Sequence, residues 1–429
     1  MLRRLLARTT TARPDETPAT LWSFAYFFCV LSSYYVLRPV RDEMGVAGGM
    51  ARLPWLFTGT FVAMLAVTPI FGALAARLPR RTLLPALYAF FIACILALWA
   101  LLRREAVPAW APAAFFIWLS VFNLFVVSVF WSFMADVWDE EQARRLFGFI
   151  AAGGSAGALV GPALTAALAT SLRPANLLVI AAGLLAGAVL CIARLRRWTG
   201  ASAGRPQGRA DGDEAPLGGH ALGGVTRVAR SPYLIGICAF VGLGTVLATF
   251  VYFQQAQIVR AAIPDPGRRT ALFAGIDLAV NVLTIATQAF ATGPLLTRVG
   301  LPRMLAFLPA LSLAGFAILA LVPGAVVLIA FQVLRRAAQY GIAGPAREVL
   351  FTVISREEKY KAKNFIDTVV SRGGDAVSGW AFAGLMALGL GITGIALAAL
   401  PLAAGWIAVA FMLARHETAL RDAEVRHAT

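Results

Sequence analysis

The chain has 429 residues, of which 59% are hydrophobic and only 14% are charged. Soluble domains carry about 25% charged residues, so the composition excludes a soluble globular protein and predicts that most of the chain lies in lipid. The formal net charge of +16 is typical of a membrane protein whose cytosolic loops are rich in Arg, so it does not indicate nucleic-acid binding. The cysteines lie in apolar runs without metal or disulfide spacing, and no nucleophile–base set is visible. Neither an enzyme, a metal site nor a cofactor is predicted.

Apolar runs long enough to cross a bilayer core of about 30 Å recur along the whole chain. Twelve can be drawn, and they predict an all-α membrane protein of two six-helix halves. Their approximate bounds are 21–37, 53–75, 83–101, 111–134, 147–169, 175–193, 234–255, 271–295, 304–322, 325–342, 366–390 and 392–414.

The polar segments around these runs predict the domain organisation. Residues 1–20 form a basic tail, 21–193 the first six-helix bundle, 194–230 a linker rich in Gly, Arg and Asp, 231–414 the second bundle, and 415–429 a second tail. If the N-terminus is cytosolic, most Lys and Arg residues fall on the cytosolic side. The positive-inside rule therefore predicts that both termini and the linker are cytosolic.

The two halves resemble each other. Gly72 to Arg81 ends the second run and Gly293 to Gly300 ends the eighth, while the pair Gly153-Gly154 recurs as Gly373-Gly374 at nearly the same offset. These matches indicate duplication of a six-helix unit. Parallel halves of this kind hold a substrate between them, near the middle of the membrane.

The loop after the second run resembles the signature Gly-x-x-x-Asp-Arg-x-Gly-Arg-Arg of the major facilitator superfamily. Ala76 replaces the signature's Asp and Pro79 its second Gly. The resemblance implies a conformational latch, formed by the retained residues of the two copies: Gly72, Arg77, Arg80, Arg81, Gly293, Arg298 and Gly300.

The fifth run is rich in small residues. Its segment Gly157-Ala-Leu-Val-Gly161-Pro162 is similar to a motif that exchangers of the same superfamily carry in their fifth helix. Close packing of helices through small residues explains the pattern equally well. We expect Gly153, Gly157, Gly161 and Pro162 to lie at a helix–helix contact.

Polar side chains at membrane depth are costly and default to a cavity or a partner. In the tenth run, Gln332, Arg336, Gln339 and Tyr340 share one helical face, with Arg335 beside it. The other candidates for contact with a substrate lie in the first, seventh and eighth runs. They are Tyr34, Arg38, Arg41, Gln254, Gln255 and Asn281. Arg372 in the eleventh run and Lys361 and Lys363 just before it are further candidates.

Three acidic residues are candidates for coupling or charge pairing. Asp277 lies in the polar stripe of the eighth run. Arg372 and Asp375 are three residues apart in the eleventh run and can pair, which lowers the cost of burying both. Asp367 begins that run, where a carboxylate either caps the helix or takes part in proton coupling.

All three lysines of the chain are clustered at Lys359, Lys361 and Lys363. An ammonium group differs from a guanidinium in hydration and geometry, so their retention in an Arg-rich sequence suggests a chemical role. Three solvated lysines on a cytosolic loop are the alternative.

Two stretches resemble the nucleotide (ATP/ADP) translocases of plastids and intracellular bacteria. Tyr34 to Asp42 matches that family's Tyr-x-x-Leu-Arg-x-x-Lys-Asp, with Arg41 in the place of the Lys, and Lys361 to Asp367 matches Lys-x-Lys-x-x-Ile-Asp. The resemblance implies that Arg41 and Lys363 contribute to nucleotide binding. Together with the excess of cations, it predicts an anionic substrate, with a phosphorylated compound as the first choice.

These observations predict an alternating-access transporter, expected to be a monomer, in the inner membrane of a bacterium. It is expected to exchange a phosphorylated anion, with a nucleotide of the ATP/ADP type as the first choice. One alternative is a proton-coupled exporter of a small organic compound that uses Asp277 or Asp375 as the proton carrier. Another is a non-transporting membrane sensor or scaffold whose partner binds the 194–230 linker.

Overall fold

The computed structural model describes residues 13–77, 80–201, 228, 231–354, 362–363 and 365–428. In that part of the chain all regular structure is helical, which confirms the predicted fold class.

The described residues up to 201 form six α-helices. They are α1 Thr17–Ala47, α2 Leu53–Arg77, α3 Arg80–Leu102, α4 Ala111–Val137, α5 Glu140–Leu168 and α6 Leu177–Ala201. Short 3₁₀ turns at Met50–Arg52 and Pro174–Asn176 precede α2 and α6.

The described residues from 232 onward form eight more α-helices. They are α7 Pro232–Ala262, α8 Pro266–Phe290, α9 Thr292–Arg298, α10 Leu301–Leu321, α11 Ala325–Ala338, α12 Gly344–Val349, α13 Gly374–Ala387 and α14 Ile392–Ala428. Two π-helical segments interrupt this series. Gln339–Ala343 joins α11 to α12, and Ile366–Gly373 leads directly into α13.

Within the described ranges, 10 helices are long and apolar enough to cross a membrane. They correspond to the first nine predicted runs and the last. The tenth and eleventh runs do not form single long α-helices, because the π-helical segments leave α11 and α13 with 14 residues each. The total of twelve spans therefore stays a prediction.

Two helices extend beyond their predicted ends. α6 continues to Ala201 and α14 to Ala428, so part of each adjoining polar segment is helical. Each extension contains three Arg residues, a residue type that favours helices. In α14 an ion pair between Arg421 and Glu417, four residues apart, adds support.

The chain divides into two compact units. Unit 1 contains the described residues of 1–44, 67–217 and 265–278, and unit 2 those of 45–66, 218–264 and 279–429. Unit 1 thus includes the first part of α8, and unit 2 includes the first part of α2.

In unit 1, α1 packs closely against α5. A Cβ added at Gly157 would lie 2.6 Å from the carbonyl oxygen of Phe28, and one added at Gly161 would lie 2.7 Å from the Cβ of Tyr35. The absence of side chains at these positions lets the two helices approach at backbone distance. On α1, Phe27 stacks on Phe130 of α4 with ring centroids 4.0 Å apart.

The start of α1 is held to the start of α5 by Glu16, which is 1% exposed. Its carboxylate accepts hydrogen bonds from Arg145 (3.1 and 3.2 Å), from Gln142 (2.9 Å) and from the backbone amide of Arg13 (2.9 Å). Asp139 caps α5 by accepting a hydrogen bond from the Gln142 amide. Burial alone would raise the pKa of Glu16, but the hydrogen bonds outweigh it and hold that pKa below its ordinary value.

In unit 2, α10 packs along α14, and α7 contacts α13 and α14. Phe253 of α7 lies at the centre of an aromatic cluster, with its ring centroid 5.2 Å from those of Phe57 and Phe382. On another side of the unit, Gly315 of α10 leaves room for the ring of Phe331 on α11. This packing holds α11 in place at Phe331. The polar residues described next follow Phe331 on the same helix.

Candidate functional site

The most unusual polar group of unit 2 is the side chain of Arg335, near the end of α11. Its Nε and Nη2 atoms donate to Oε1 of Gln332 at 3.4 and 3.3 Å, and its Nη1 donates to Oε1 of Gln339 at 3.2 Å. Arg335 is 4% exposed and Gln332 is 3% exposed. In the described part of the chain no carboxylate forms an ion pair with Arg335. Its positive charge is therefore hydrogen-bonded but not neutralised.

Arg335 also lies far along its helix. It is the eleventh residue of α11, about 15 Å from the helix start at 1.5 Å per residue. That distance is about half of a 30 Å hydrocarbon core. Arg336 beside it is 8% exposed, while Tyr340 is 46% exposed. Two adjacent, buried guanidinium groups at this depth are expensive unless they bind something.

The π-helical segment Gln339–Ala343 begins within one turn of Arg335. A π turn holds one residue more than an α turn and weakens the regular ladder of backbone hydrogen bonds. Here the carbonyl of Tyr340 accepts a hydrogen bond from Gln288 Nε2 at 3.2 Å, and the carbonyl of Gly341 accepts one from Thr292 Oγ1 at 2.6 Å. Side chains of α8 and α9 thus stabilise the irregular backbone next to Arg335.

The arginines of α1 are placed differently from the prediction. In unit 1, Arg38 lies 3.4 Å from Asp277 and Arg41 lies 2.7 Å from Asp42. Tyr34 packs against the ring of the adjacent Tyr35. The predicted excess of positive charge is therefore not found at α1, because each of these arginines has a carboxylate neighbour. Arg38 and Asp277 are 239 positions apart in sequence. No local sequence pattern therefore indicates that they form a pair.

Sequence reasoning missed a third ion pair in the same unit. Glu43 of α1 accepts a hydrogen bond from Arg269 of α8 at 2.7 Å, and both residues are buried. Together with Arg38 and Asp277, this pair fastens the first turns of α8 to the second half of α1. The signal available in the sequence was only the presence of charged residues at the ends of two apolar runs.

The structure brings together the predicted partners of the eleventh run. Arg372 and Asp375 lie 3.5 Å apart, and Asp375 also accepts a hydrogen bond from Thr249 of α7 at 3.1 Å. Asp367 does not cap a helix with its side chain. It lies within a π-helical segment, 3.5 Å from Arg347.

The predicted substrate contacts of α7 and α8 are buried, as expected of groups that avoid lipid. Gln254 is fully buried, Gln255 is 4% exposed and Asn281 is 9% exposed. The amide nitrogen of Gln254 donates to the carbonyl of Ile392 at 3.0 Å. The side-chain oxygens of Gln254 and Gln255 have no hydrogen-bond partner among the described residues. Each is a buried acceptor without a donor, which costs about 1–3 kcal/mol.

Lys363 is also paired. Its ammonium group donates to both carboxylate oxygens of Glu348, at 2.9 and 2.8 Å. Lys361 and Lys359 lie outside the described residues. The structure therefore places Lys363 in an ion pair between α12 and the segment before the second π-helical stretch.

The predicted latch can be followed only in part. Gly72 and Arg77 belong to α2, and Arg80 and Arg81 to α3, but their side chains lie outside the described set. In the second copy, Gly293 and Arg298 belong to α9. Gly300 joins α9 to α10 with a φ of +82°, a conformation that favours glycine.

The predicted packing residues of the fifth run lie in α5. Gly153, Gly157 and Gly161 face α1 so closely that an added Cβ would meet backbone atoms of that helix. Pro162 is buried within α5. Among the described residues, no group of three or more His, Cys, Asp or Glu side chains could hold a metal ion.

The sequence and the structure were each compared with those of known proteins. The sequence model of the Major Facilitator Superfamily matches residues 19–261. No curated protein sequence matches the chain.

Several solved transporters share the fold over nearly the whole chain. The nucleoside transporter NupG has a TM-score of 0.60 and 14% identity, covering 94% of this chain and 98% of its own. A POT family transporter in complex with a thioalcohol-conjugated peptide has a TM-score of 0.60 and 12% identity, covering 94% and 96%. A bacterial homologue of the human lysosomal transporter Spinster has a TM-score of 0.53 and 14% identity, covering 95% and 96%. At these identities the likeness concerns the fold alone.

Proposed function

The chain belongs to the Major Facilitator Superfamily, and from this premise we propose that it moves a small phosphorylated anion across the bacterial cytoplasmic membrane by alternating access. Membership makes it a multi-pass membrane transporter and not an enzyme. The structural relatives carry unlike substrates, a nucleoside in one and a peptide in another by their names. The substrate must therefore be argued from this chain's own residues.

The observation that carries the proposal is the environment of Arg335. Burial of an ion costs several kcal/mol even after relaxation, and here the partners among the described residues are two neutral amide oxygens. Arg336 adds a second buried cation. An anion with two or more oxygens satisfies the charge of Arg335, since guanidinium groups bind phosphate and carboxylate through paired hydrogen bonds.

A nucleotide is the first candidate within this class. The buried acceptor oxygens of Gln254 and Gln255 in the same unit suit the N–H groups of a base or the hydroxyl groups of a sugar. A strongly cationic site releases one anion more readily when another replaces it, so we propose exchange as the transport mode.

Uptake into proteoliposomes tests the proposal. Vesicles are offered labelled ATP, ADP or glucose 6-phosphate, with and without unlabelled nucleotide inside. We expect saturable uptake of at least one of these compounds, stimulated by internal nucleotide and lost in Arg335→Gln. The matched control is Arg144→Gln, because the Arg144 side chain is 78% exposed and pairs with its exposed neighbour Glu140. This control is expected to transport normally.

Other outcomes favour the alternatives. Export that collapses with an uncoupler and ignores internal nucleotide supports a proton-coupled exporter, with Asp277 or Asp375 as the carrier. Absence of any flux in correctly folded protein supports a sensor or scaffold. Uptake of a phosphorylated compound that is unchanged in Arg335→Gln contradicts the proposed role of the buried guanidinium.

A further inference from the structure

We propose that Gln332 and Gln339 are positioning residues that hold Arg335 as an un-neutralised cation and leave two of its five N–H groups for the substrate. This inference rests on the proposed function and specifies how its anion is recognised. The two glutamines are named the glutamine clamp below.

The hydrogen bonds leave part of the guanidinium for the substrate. A guanidinium carries five N–H groups, and three of them donate to the clamp. Gln332 Oε1 occupies the side edge formed by Nε and Nη2, and Gln339 Oε1 accepts from Nη1. One N–H on Nη1 and one on Nη2 remain, and guanidinium N–H groups are donors suited to phosphoryl or carboxylate oxygens.

The chemistry of the clamp sets the charge. Elsewhere in the chain, Arg38 and Arg372 have carboxylates at 3.4 and 3.5 Å, so a membrane arginine here is ordinarily paired with an acid. A carboxylate at position 332 would occupy the same side edge and neutralise the cation. An amide accepts the same hydrogen bonds without a charge. The clamp therefore orients Arg335 while the anion supplies the counter-charge.

The surroundings of Arg335 reinforce this arrangement. Arg336, the next residue of the helix, carries a second positive charge and is 8% exposed. Gln339 opens the π-helical segment, and its backbone amide hydrogen-bonds to the carbonyls of Arg335 and Arg336. The irregular turn thus fixes the second arm of the clamp.

The test compares Gln332→Glu with Gln332→Met. The first keeps the acceptor and adds a charge, and the second removes the acceptor at similar volume. The readout is the ratio of affinities for matched charged and neutral compounds, ADP against adenosine and glucose 6-phosphate against glucose, from ligand-induced shifts in melting temperature. In Gln332→Glu we expect the preference for the phosphorylated partner to fall by about tenfold or more. In Gln332→Met we expect weaker binding of the phosphorylated compound with the preference for it retained.

The melting temperatures of the same variants are also measured without ligand. Because the added carboxylate neutralises a buried cation, Gln332→Glu is expected to melt at or above the wild-type temperature, and Gln332→Met below it. If both variants keep the wild-type preference while Arg335→Gln loses it, the clamp is refuted and the proposed function stands. If the wild type binds neither phosphorylated compound, the proposed function fails and the clamp fails with it.

Discussion

Replacement of Gly157 by Ala tests the contact between α1 and α5. The added methyl carbon would lie 2.6 Å from the carbonyl oxygen of Phe28 and 2.9 Å from the backbone nitrogen of Ser32. Ordinary contact begins at 3.4 Å, so α1 must withdraw by 3.4 minus 2.6, or 0.8 Å. Both neighbours are backbone atoms and cannot rotate away.

The cost follows from this distance. Overpacking of a well-filled interior costs about 1–3 kcal/mol, and a gap of 0.5–1 Å forfeits a quarter to a half of each neighbouring dispersion contact. Ala also favours the helix over Gly by about 1 kcal/mol. The same gain applies to Gly148→Ala on the same helix, where an added Cβ meets nothing within 4 Å. We therefore expect Gly157→Ala to be less stable than Gly148→Ala by about 1–3 kcal/mol.

The measurement is reversible unfolding of the purified protein in mixed micelles, with both variants compared to the wild type. Gly154→Ala provides an intermediate case, because the three atoms nearest its new methyl belong to the side chains of Phe27 and Leu31, which can shift. Equal stability of Gly157→Ala and Gly148→Ala would refute direct backbone packing of α1 on α5.

Three further predictions concern ion pairs. Glu43→Ala removes the 2.7 Å partner of buried Arg269 and is expected to cost about 3–5 kcal/mol; the exchanged pair Glu43→Arg with Arg269→Glu should recover part of the lost melting temperature, and no recovery would contradict a direct pair. Because the pKa of Glu16 is depressed below 4.5, its stabilisation is complete above that pH and is lost as pH falls through the lowered value. The melting-temperature difference between wild type and Glu16→Gln should therefore stay constant from pH 7 to 5 and shrink in more acid solution; a difference that grows there would contradict the shift. Lys363→Glu replaces the 2.8 Å pair with two carboxylates and is expected to reduce transport at least severalfold. A partly exposed pair is worth only about 0–1 kcal/mol to stability, so the variant is expected to fold. If the pair is structural, Glu348→Lys in the same chain should restore transport; uptake that stays lost would instead assign the amine to the substrate.

The fold was predictable because long apolar runs leave few alternatives in a bilayer. The π-helical segments were not, since residues such as Gly341 and Ile342 continue the apolar pattern and carry no local break. Their irregular backbone is stabilised by groups distant in sequence, such as Gln288. The positions of some helix ends were not predictable either, because a helix can continue past its apolar run. The helix that ends at Ala201 is an example.

The polar residues were predictable as a set, but their partners were not. Arg372 and Asp375 are neighbours along one helix, and their spacing predicted the contact that the structure has. Sequence spacing could not show which of Arg335 and Arg336 bonds to the glutamines. Arg335 lies three residues from Gln332 and four from Gln339, and for Arg336 the two spacings are reversed. The direction of the side chain decides, and Arg335 donates to both glutamines. Arg38 and Asp277 meet through tertiary packing, which no short motif encodes.

The turn at Gln339–Ala343 has a mechanical consequence. Two of its carbonyls depend on Gln288 and Thr292 for donors, whereas a regular helix supplies its own. Any sliding of α11 past α8 must therefore break and remake bonds that lie within two turns of Arg335. The position of Arg335 is in this way coupled to α8, so that displacement of that helix changes the backbone next to the guanidinium.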